Sequence, residues 1–280
     1  MTAGSVAAVV SSARTDVGRK RQVNEDSVVA ADPVFLVADG MGGHQAGDAA
    51  SRTVVNRMKA LAGRQATVES VKQALDAARA QVMSLPAQAS GRAAGTTVSG
   101  VVVVSQNGLP YWLVVNIGDS RTYRLSDDRL EQLSIDHSEI QELLAKGQIS
   151  AEQAKTHPRR NVVTRALGGG FAYDPDYWLV PMEPHDRILI CSDGLTAEVP
   201  DTKIAELLRA HPEPTAATNA LIRAALAAGG KDNVSVVVVD ARDLLGGPEQ
   251  ETTQDRLPAV VDDDDDTIPT GGPQLVGGRP

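Results

Sequence analysis

The sequence predicts an α+β fold with helices and strands in separate layers. Three observations carry that expectation. Two stretches between residues 45 and 82 repeat apolar residues every three or four positions. A run of short, Val-rich segments separated by turn signals follows between residues 98 and 133. Two more helix-like stretches lie between residues 201 and 227. Paired helices, a run of strands, then paired helices again is the order of a layered domain.

Taken along the chain, Val34 to Ala38 is an apolar run closed by Asp39-Gly40, and reads as a buried strand ending in a turn. Gln45 to Leu61 sets Ala46, Ala50, Val54, Met58 and Leu61 on one helical face. Val68, Val71, Leu75, Ala78 and Val82 define a second amphipathic helix. Val98 to Val104, Tyr111 to Ile117, Arg121 to Leu125 and Arg129 to Leu133 are strand-like. Asn107-Gly108, Gly118-Asp119 and Asp127-Asp128 separate them, which predicts an antiparallel meander. Ser138 to Lys146 reads as a helix, and Gly147 to Arg160, polar and basic, as a mobile flap. Arg187 to Cys191 and Val234 to Asp240 are strands; Asp201 to Arg209 and Thr215 to Ala227 are helices. Aromatic residues are only 3% of the 280, so Val, Leu, Ile and Ala must fill the core.

Residues 1–242 read as one globular domain. Residues 243–280 change to Gly, Pro, Thr and Asp, with five consecutive aspartates from Asp262. Such a segment buries too little apolar surface to offset its ordering entropy, so a disordered acidic tail is expected. Beyond Leu245, eight acids against Arg256 and Arg279 account for −6 of the net charge of −9. No broad basic face is present for nucleic acid. No stretch approaches the ~20 apolar residues of a membrane span. Cys191 is the single cysteine, which excludes an internal disulfide and fits a reducing compartment. A cytoplasmic monomer is the expectation.

Four aspartates share a setting. Asp39 follows Val34-Phe-Leu-Val-Ala38, Asp119 follows Leu113-Val-Val-Asn-Ile-Gly118, and Asp193 follows Ile188-Leu-Ile-Cys-Ser192. Asp232 precedes Asn233 and the last strand. A single Asp-Gly after a strand is usually a turn and nothing more. Four such carboxylates, if their strands share a core, would converge and raise one another's pKa unless a divalent cation neutralised them. The donors are all oxygen and no Cys/His cluster has zinc spacing, which favours Mg²⁺ or Mn²⁺. Glycine after Asp39 and after Asp193 is expected to let the backbone turn sharply there.

The wording around these residues goes further. Thr15-Asp-Val-Gly-Arg-Lys-Arg-Gln-Val-Asn-Glu-Asp-Ser27, Val37-Ala-Asp-Gly-Met-Gly-Gly-His44, Gly95-Thr-Thr97 and Asn116-Ile-Gly-Asp-Ser-Arg121 occur in order. Asp136-His137, Thr164-Arg-Ala-Leu-Gly168, Ser192-Asp-Gly-Leu195 and Lys231-Asp-Asn-Val-Ser235 follow. Over roughly residues 5–242 the chain resembles the bacterial metal-dependent serine/threonine protein phosphatases of type 2C. The resemblance implies a four-layer α-β-β-α sandwich, two central antiparallel sheets flanked by helix pairs. It implies that Asp39 bridges two metal ions, that the Gly40 carbonyl ligates one, and that Asp193 and Asp232 complete the other site. Glu25 would hold metal-bound water. Asp119, with Asp193, would support a third, weaker ion. Arg21 would grip the substrate phosphate, where an Arg on its own would be a solvated surface charge. The reaction implied is in-line attack of water on phosphoserine or phosphothreonine, without a phosphoenzyme.

One position departs from the eukaryotic branch of that family. The residue after the Asp-Gly, a histidine there and the proposed general acid, is here Met41, which cannot donate a proton. His44 reads as a helix-entry residue, His137 and His157 as loop and cap residues, Cys191 as inert core, and Thr164-Arg165 as an anchor of the flap. The competing class is a catalytically inactive phosphatase fold used as a binding module, which normally shows a lost metal carboxylate; here Glu25, Asp39, Asp119, Asp193 and Asp232 are all present. The resemblance further implies phosphorylated Ser/Thr proteins as substrates and an opposing Hanks-type kinase. Glu251-Thr252-Thr253-Gln254 and Asp266-Thr267 resemble kinase targets read by forkhead-associated domains, against the simpler reading of a solvating acidic tail.

Overall fold

A computed structural model describes residues 7–86 and 93–244. The expected tail lies outside the described residues, apart from the end of the last strand. The chain opens with β1 (Ala7–Asp16), β2 (Ser27–Ala31), β3 (Val34–Ala38) and the two-residue β4 (Gly40–Met41). Helices α1 (His44–Lys59) and α2 (Val68–Met83) follow, then β5 (Gly95–Thr96), β6 (Val98–Gln106), β7 (Leu109–Ile117), β8 (Arg121–Ser126) and β9 (Arg129–Gln132). Next come α3 (Glu139–Ala145), α4 (Ala151–Thr156), β10 (Leu167–Gly168), β11 (Asp176–Pro181) and β12 (Arg187–Cys191). The last elements are α5 (Asp193–Thr196), α6 (Asp201–Ala210), α7 (Pro214–Ala228) and β13 (Val234–Leu244).

Two five-stranded antiparallel sheets form, in the orders β1-β13-β12-β8-β9 and β11-β7-β6-β3-β2. Their strands explain why the sequence shows continuous apolar runs rather than alternation. In β3, Val34, Leu36 and Ala38 face the α1/α2 layer while Phe35 and Val37 face the opposite sheet. In β13, Val234, Val236 and Val238 face α6 and α7 while Val237 and Val239 face the other sheet. Successive side chains point to opposite faces, so a strand covered on both sides must be apolar throughout. Each fully buried Val or Leu stabilises the fold by roughly 1.5–3 kcal/mol. The result is the four-layer α-β-β-α sandwich. Among the described residues no helix is long and apolar enough to cross a membrane.

Several expectations need correction. The meander is split: β6 and β7 pair in one sheet, β8 and β9 in the other. The chain changes sheets at Gly118-Asp119-Ser120, where Gly118 takes φ +108°. The Gly147 to Arg160 segment is not all loop, because Ser150 and Gln153 form a reciprocal capping box that starts α4. β1, β2 and β11 went unread in the sequence. All three are edge strands. An edge strand needs only a partly apolar face, so its sequence carries little periodic signal.

Candidate metal centre

Both sheets end at one site. Asp39 leaves the end of β3 and Asp119 the end of β7, while Asp193 follows β12 and Asp232 precedes β13. The Asp39 backbone is fixed on both sides. Its N–H donates to Thr97 Oγ1 at 3.1 Å, and its carbonyl accepts from Thr97 N at 2.9 Å and from Thr96 Oγ1 at 2.9 Å. Thr97 Oγ1 also meets Ser120 Oγ at 2.7 Å, which ties the Asp39 turn to the Asp119 turn.

The glycines act by absence of bulk and not by turning. Neither Gly40 nor Gly194 has positive φ; Gly40 lies in β4 and Gly194 in α5. A Cβ on Gly40 would overlap the carbonyl oxygens of Gly47 and Glu25, and one on Gly194 would overlap that of Asn233. Close backbone approach is therefore what these positions demand.

Glu25 is 8% exposed, and its N–H donates to Asn233 Oδ1 at 2.9 Å. Asn233 also donates through Nδ2 to the carbonyls of Val17 and Val23, both at 3.0 Å. Those two bonds clamp the loop that carries Arg21. The guanidinium donates from Nη2 to Asp232 Oδ2 at 2.8 Å, and Asp232 Oδ1 accepts from Asn233 N at 2.8 Å. This contact raises the Arg21 pKa further.

Electrostatics shows that the carboxylates share one site. Burial pushes the Asp39 carboxyl well above the usual carboxylate range, and the charges of Asp26, Asp193, Asp119 and Asp232 add to it. Burial pushes Asp119 up to about 8, helped by Asp193 and Asp136. Asp193 is raised by burial and then by Asp232, and it shares a hydrogen bond with Asp39. Without a cation, charge this concentrated is relieved by protons.

Asp26 joins the group although the sequence reading passed it over. It is 7% exposed, with Oδ2 accepting from Ser192 Oγ at 2.8 Å and Oδ1 without a hydrogen-bond partner. Burial first, then Asp193 and Asp232, move it up to about 7. Its only signal in the sequence was its place directly after Glu25.

His137 lies in a loop, as expected, directly before the Ser138 N-cap of α3, and both of its ring nitrogens have partners. It is 5% exposed, Nδ1 accepts from Gly118 N at 3.3 Å, and Nε2–H faces Asp176 Oδ2 at 2.9 Å. Its backbone N–H donates to Gly118 O and its carbonyl accepts from Thr164 N, both at 2.8 Å. It joins the turn before Asp119 to the base of the flap. Arg165, 3.5 Å from Asp176 Oδ1 and 3.4 Å from Asp174 Oδ2, anchors the same base. His157 ends α4 as a cap residue, and Cys191 is fully buried with its thiol pushed up to about 12 by burial.

The sequence matches the profile of protein phosphatase 2C over residues 17–228. The chain belongs to the protein phosphatase 2C family. It is 36% identical over 245 residues to the serine/threonine phosphatase stp of Listeria monocytogenes, an alignment covering 82% of this chain and 95% of that one. The crystal structure of the Mycobacterium tuberculosis serine/threonine phosphatase PstP/Ppp superposes with a TM-score of 0.78 at 35% identity, over 84% of this chain and 99% of that one. The catalytic domain of PstP in complex with two manganese ions superposes with a TM-score of 0.72 at 36% identity, over 84% and 99%. As a protein phosphatase 2C member the chain is a metal-dependent enzyme of the serine/threonine phosphatase class, working with Mn²⁺ or Mg²⁺.

The residues present fit such ions. Every donor is oxygen, the Asp39 carboxyl is raised by burial and by four acidic neighbours, and Asp26 Oδ1 has no hydrogen-bond partner. Among the described residues no three acidic, His or Cys side chains stand as a ready coordination set. Asp232 is turned to Arg21, and Asp39 and Asp193 to each other. The carboxylates are gathered but held by internal partners that cations would replace.

Proposed function

We propose that this chain hydrolyses phosphoserine and phosphothreonine in proteins, with Asp39, the Gly40 carbonyl, Asp193 and Asp232 holding two cations and Glu25 beside them. Asp119 with Asp193 would hold a third, weaker ion. The reading is carried by one observation: Asp26, Asp119, Asp193 and Asp232, from both sheets, all act on the Asp39 carboxyl. Bound there, two divalent cations supply an activated water and neutralise charge on the phosphate oxygens.

The chain's own residues do the rest. Arg21, once free of Asp232, presents a planar fork to two phosphate oxygens. Asp26, buried beside the cluster and held by Ser192 Oγ, adds its carboxylate to the site's negative charge. Thr96 and Thr97 hold the Asp39 backbone still while charge moves. Met41 gives no proton to the leaving alkoxide, so that proton comes from a water held in the site or from another group.

Hydrolysis of p-nitrophenyl phosphate and of a phosphothreonine peptide, with and without Mn²⁺, tests the reading. Asp39→Ala or Asp193→Ala should abolish turnover. Near wild-type rates in either variant at saturating Mn²⁺ would refute the assignment. Finer points extend the same proposal. The enzyme reverses a Hanks-type kinase in the cytoplasm, and the acidic tail, once phosphorylated at Thr252, Thr253 or Thr267, engages a forkhead-associated domain. Mass spectrometry after treatment with that kinase, finding no phosphate beyond residue 245, would remove the tail's role.

A further inference from the structure

Phe171 is one of two phenylalanines in the chain. Phe35, the other, is buried, whereas Phe171 is 39% exposed. The segment presenting it is unusual: Gly168, Gly169 and Gly170 all take positive φ, at 90°, 66° and 79°. Ordering three glycines in succession forfeits more chain entropy than any other residue would.

The ring lies against Gly169, where a Cβ would stand 2.9 Å from Phe171 Cδ2. Gly169 backs onto Gly95, whose Cβ position is 3.2 Å from Gly169 Cα and 3.3 Å from Met41 Cγ. Phe171, the half-buried Gly169 and Met41 thus form one rim over the buried Gly95. The rim is built on the small sheet β10-β5-β4, in which Gly95 pairs with both Met41 and Gly168. It begins at Met41, two residues along the chain from Asp39.

Distances suit a peptide. Strands lie ~4.8 Å apart, so β10 is about 10 Å from β4. An extended peptide rises ~3.3 Å per residue, so the second or third residue from one held at Asp39-Gly40 reaches the ring. A single exposed apolar side chain needs no explanation by itself. This one stands on Gly169, which packs over the buried Gly95 beside Met41.

We propose that Phe171 and Met41 form a specificity shelf that receives an apolar side chain two or three residues from the phosphorylated serine or threonine. The proposal rests on the phosphatase reading above. The test uses paired phosphothreonine peptides with Leu or Ala at the second and third positions on either side, assayed with the full chain and Mn²⁺. The readout is the ratio of kcat/KM for the Leu and Ala peptides within each variant, so a general loss of activity cancels. Wild type should favour Leu at one side by roughly tenfold, the size of a modest apolar contact, mostly through KM. Phe171→Ala should bring the ratio close to one, and Phe171→Leu should restore part of it. A wild-type ratio near one, or a ratio unchanged in Phe171→Ala, overturns the shelf. So does loss of a dimer in Phe171→Ala with the ratio unchanged, which would assign the ring to a second copy of the chain. Failure of wild type to hydrolyse p-nitrophenyl phosphate with Mn²⁺ would instead sink the phosphatase reading, and the shelf with it.

Discussion

Arg21 and Asp232 face each other at 2.8 Å, so the residue assigned to phosphate is held by a residue assigned to metal. The pair is open to solvent, with side chains 48% and 36% exposed. Exposed pairs contribute little to stability, between about 0 and 1 kcal/mol. On the proposed assignment, Asp232 would turn to a cation and leave the Arg21 guanidinium for the phosphate.

Arg21→Ala should lower kcat/KM for p-nitrophenyl phosphate by roughly 10- to 100-fold, the value of a charge-assisted hydrogen bond. Its melting temperature should stay within about 2 °C of wild type. Arg21→Lys should recover little, because a point charge cannot make the bidentate contact. Steady-state kinetics and a thermal scan decide both.

Metal-free stability should fall as pH rises. Asp26 at about 7, Asp119 at about 8, and the raised Asp39 and Asp193 bind protons in the folded state that the unfolded chain has already released above pH ~4. The folded state is thus favoured at low pH and loses that advantage up to pH about 8. A chelated sample should melt at least ~5 °C lower at pH 8.5 than at pH 5, and excess Mn²⁺ should erase most of the difference. Asp193→Asn should melt higher than wild type at pH 8.5 without metal while having no activity. A melting temperature that rises with pH in chelator would contradict the shared-site electrostatics.

Gly194→Ala should destabilise by about 3 kcal/mol, at the top of ordinary overpacking costs. The added Cβ meets the Asn233 carbonyl, and backbone cannot swing aside. Gly63→Ala makes the comparison: φ is +70° but nothing lies within 4 Å of the new Cβ, so only about 1 kcal/mol should be lost. Equal shifts in thermal unfolding would show that conformation, not contact, governs Gly194.

His137 variants separate two bonds. Asn at 137 can still offer an acceptor to Gly118 N–H, whereas Gln reaches toward Asp176 instead. His137→Asn should need less Mn²⁺ for half-maximal activity than His137→Gln, because the first keeps the turn before Asp119 in place. The reverse order would assign the main effect to the flap.

The doubly covered strands were readable in the sequence because a residue buried on either face must be apolar. β3 and β12 match their expected limits for that reason. The aspartates were visible as strand-end residues, but nothing in their spacing placed Asp119 near Asp193; that required the two sheets to share an end. Asp26 and His137 were hidden because their chemistry lies in contacts 166 and 39 positions away, to Ser192 and Asp176. The glycines were noticed for the wrong property. A sequence shows that a side chain is missing, while only the fold shows which carbonyl occupies its place.

Asp39 and Asp119 follow strands of one sheet, Asp193 follows and Asp232 precedes strands of the other, and the layer containing Phe35, Val103, Trp112, Ile190 and Val237 lies between the sheets. That greasy layer is the caliper that sets the gap between the two halves of the proposed ligand set. Thinning or swelling it by a methyl group would retune ion affinity from within the molecule, with every carboxylate left untouched.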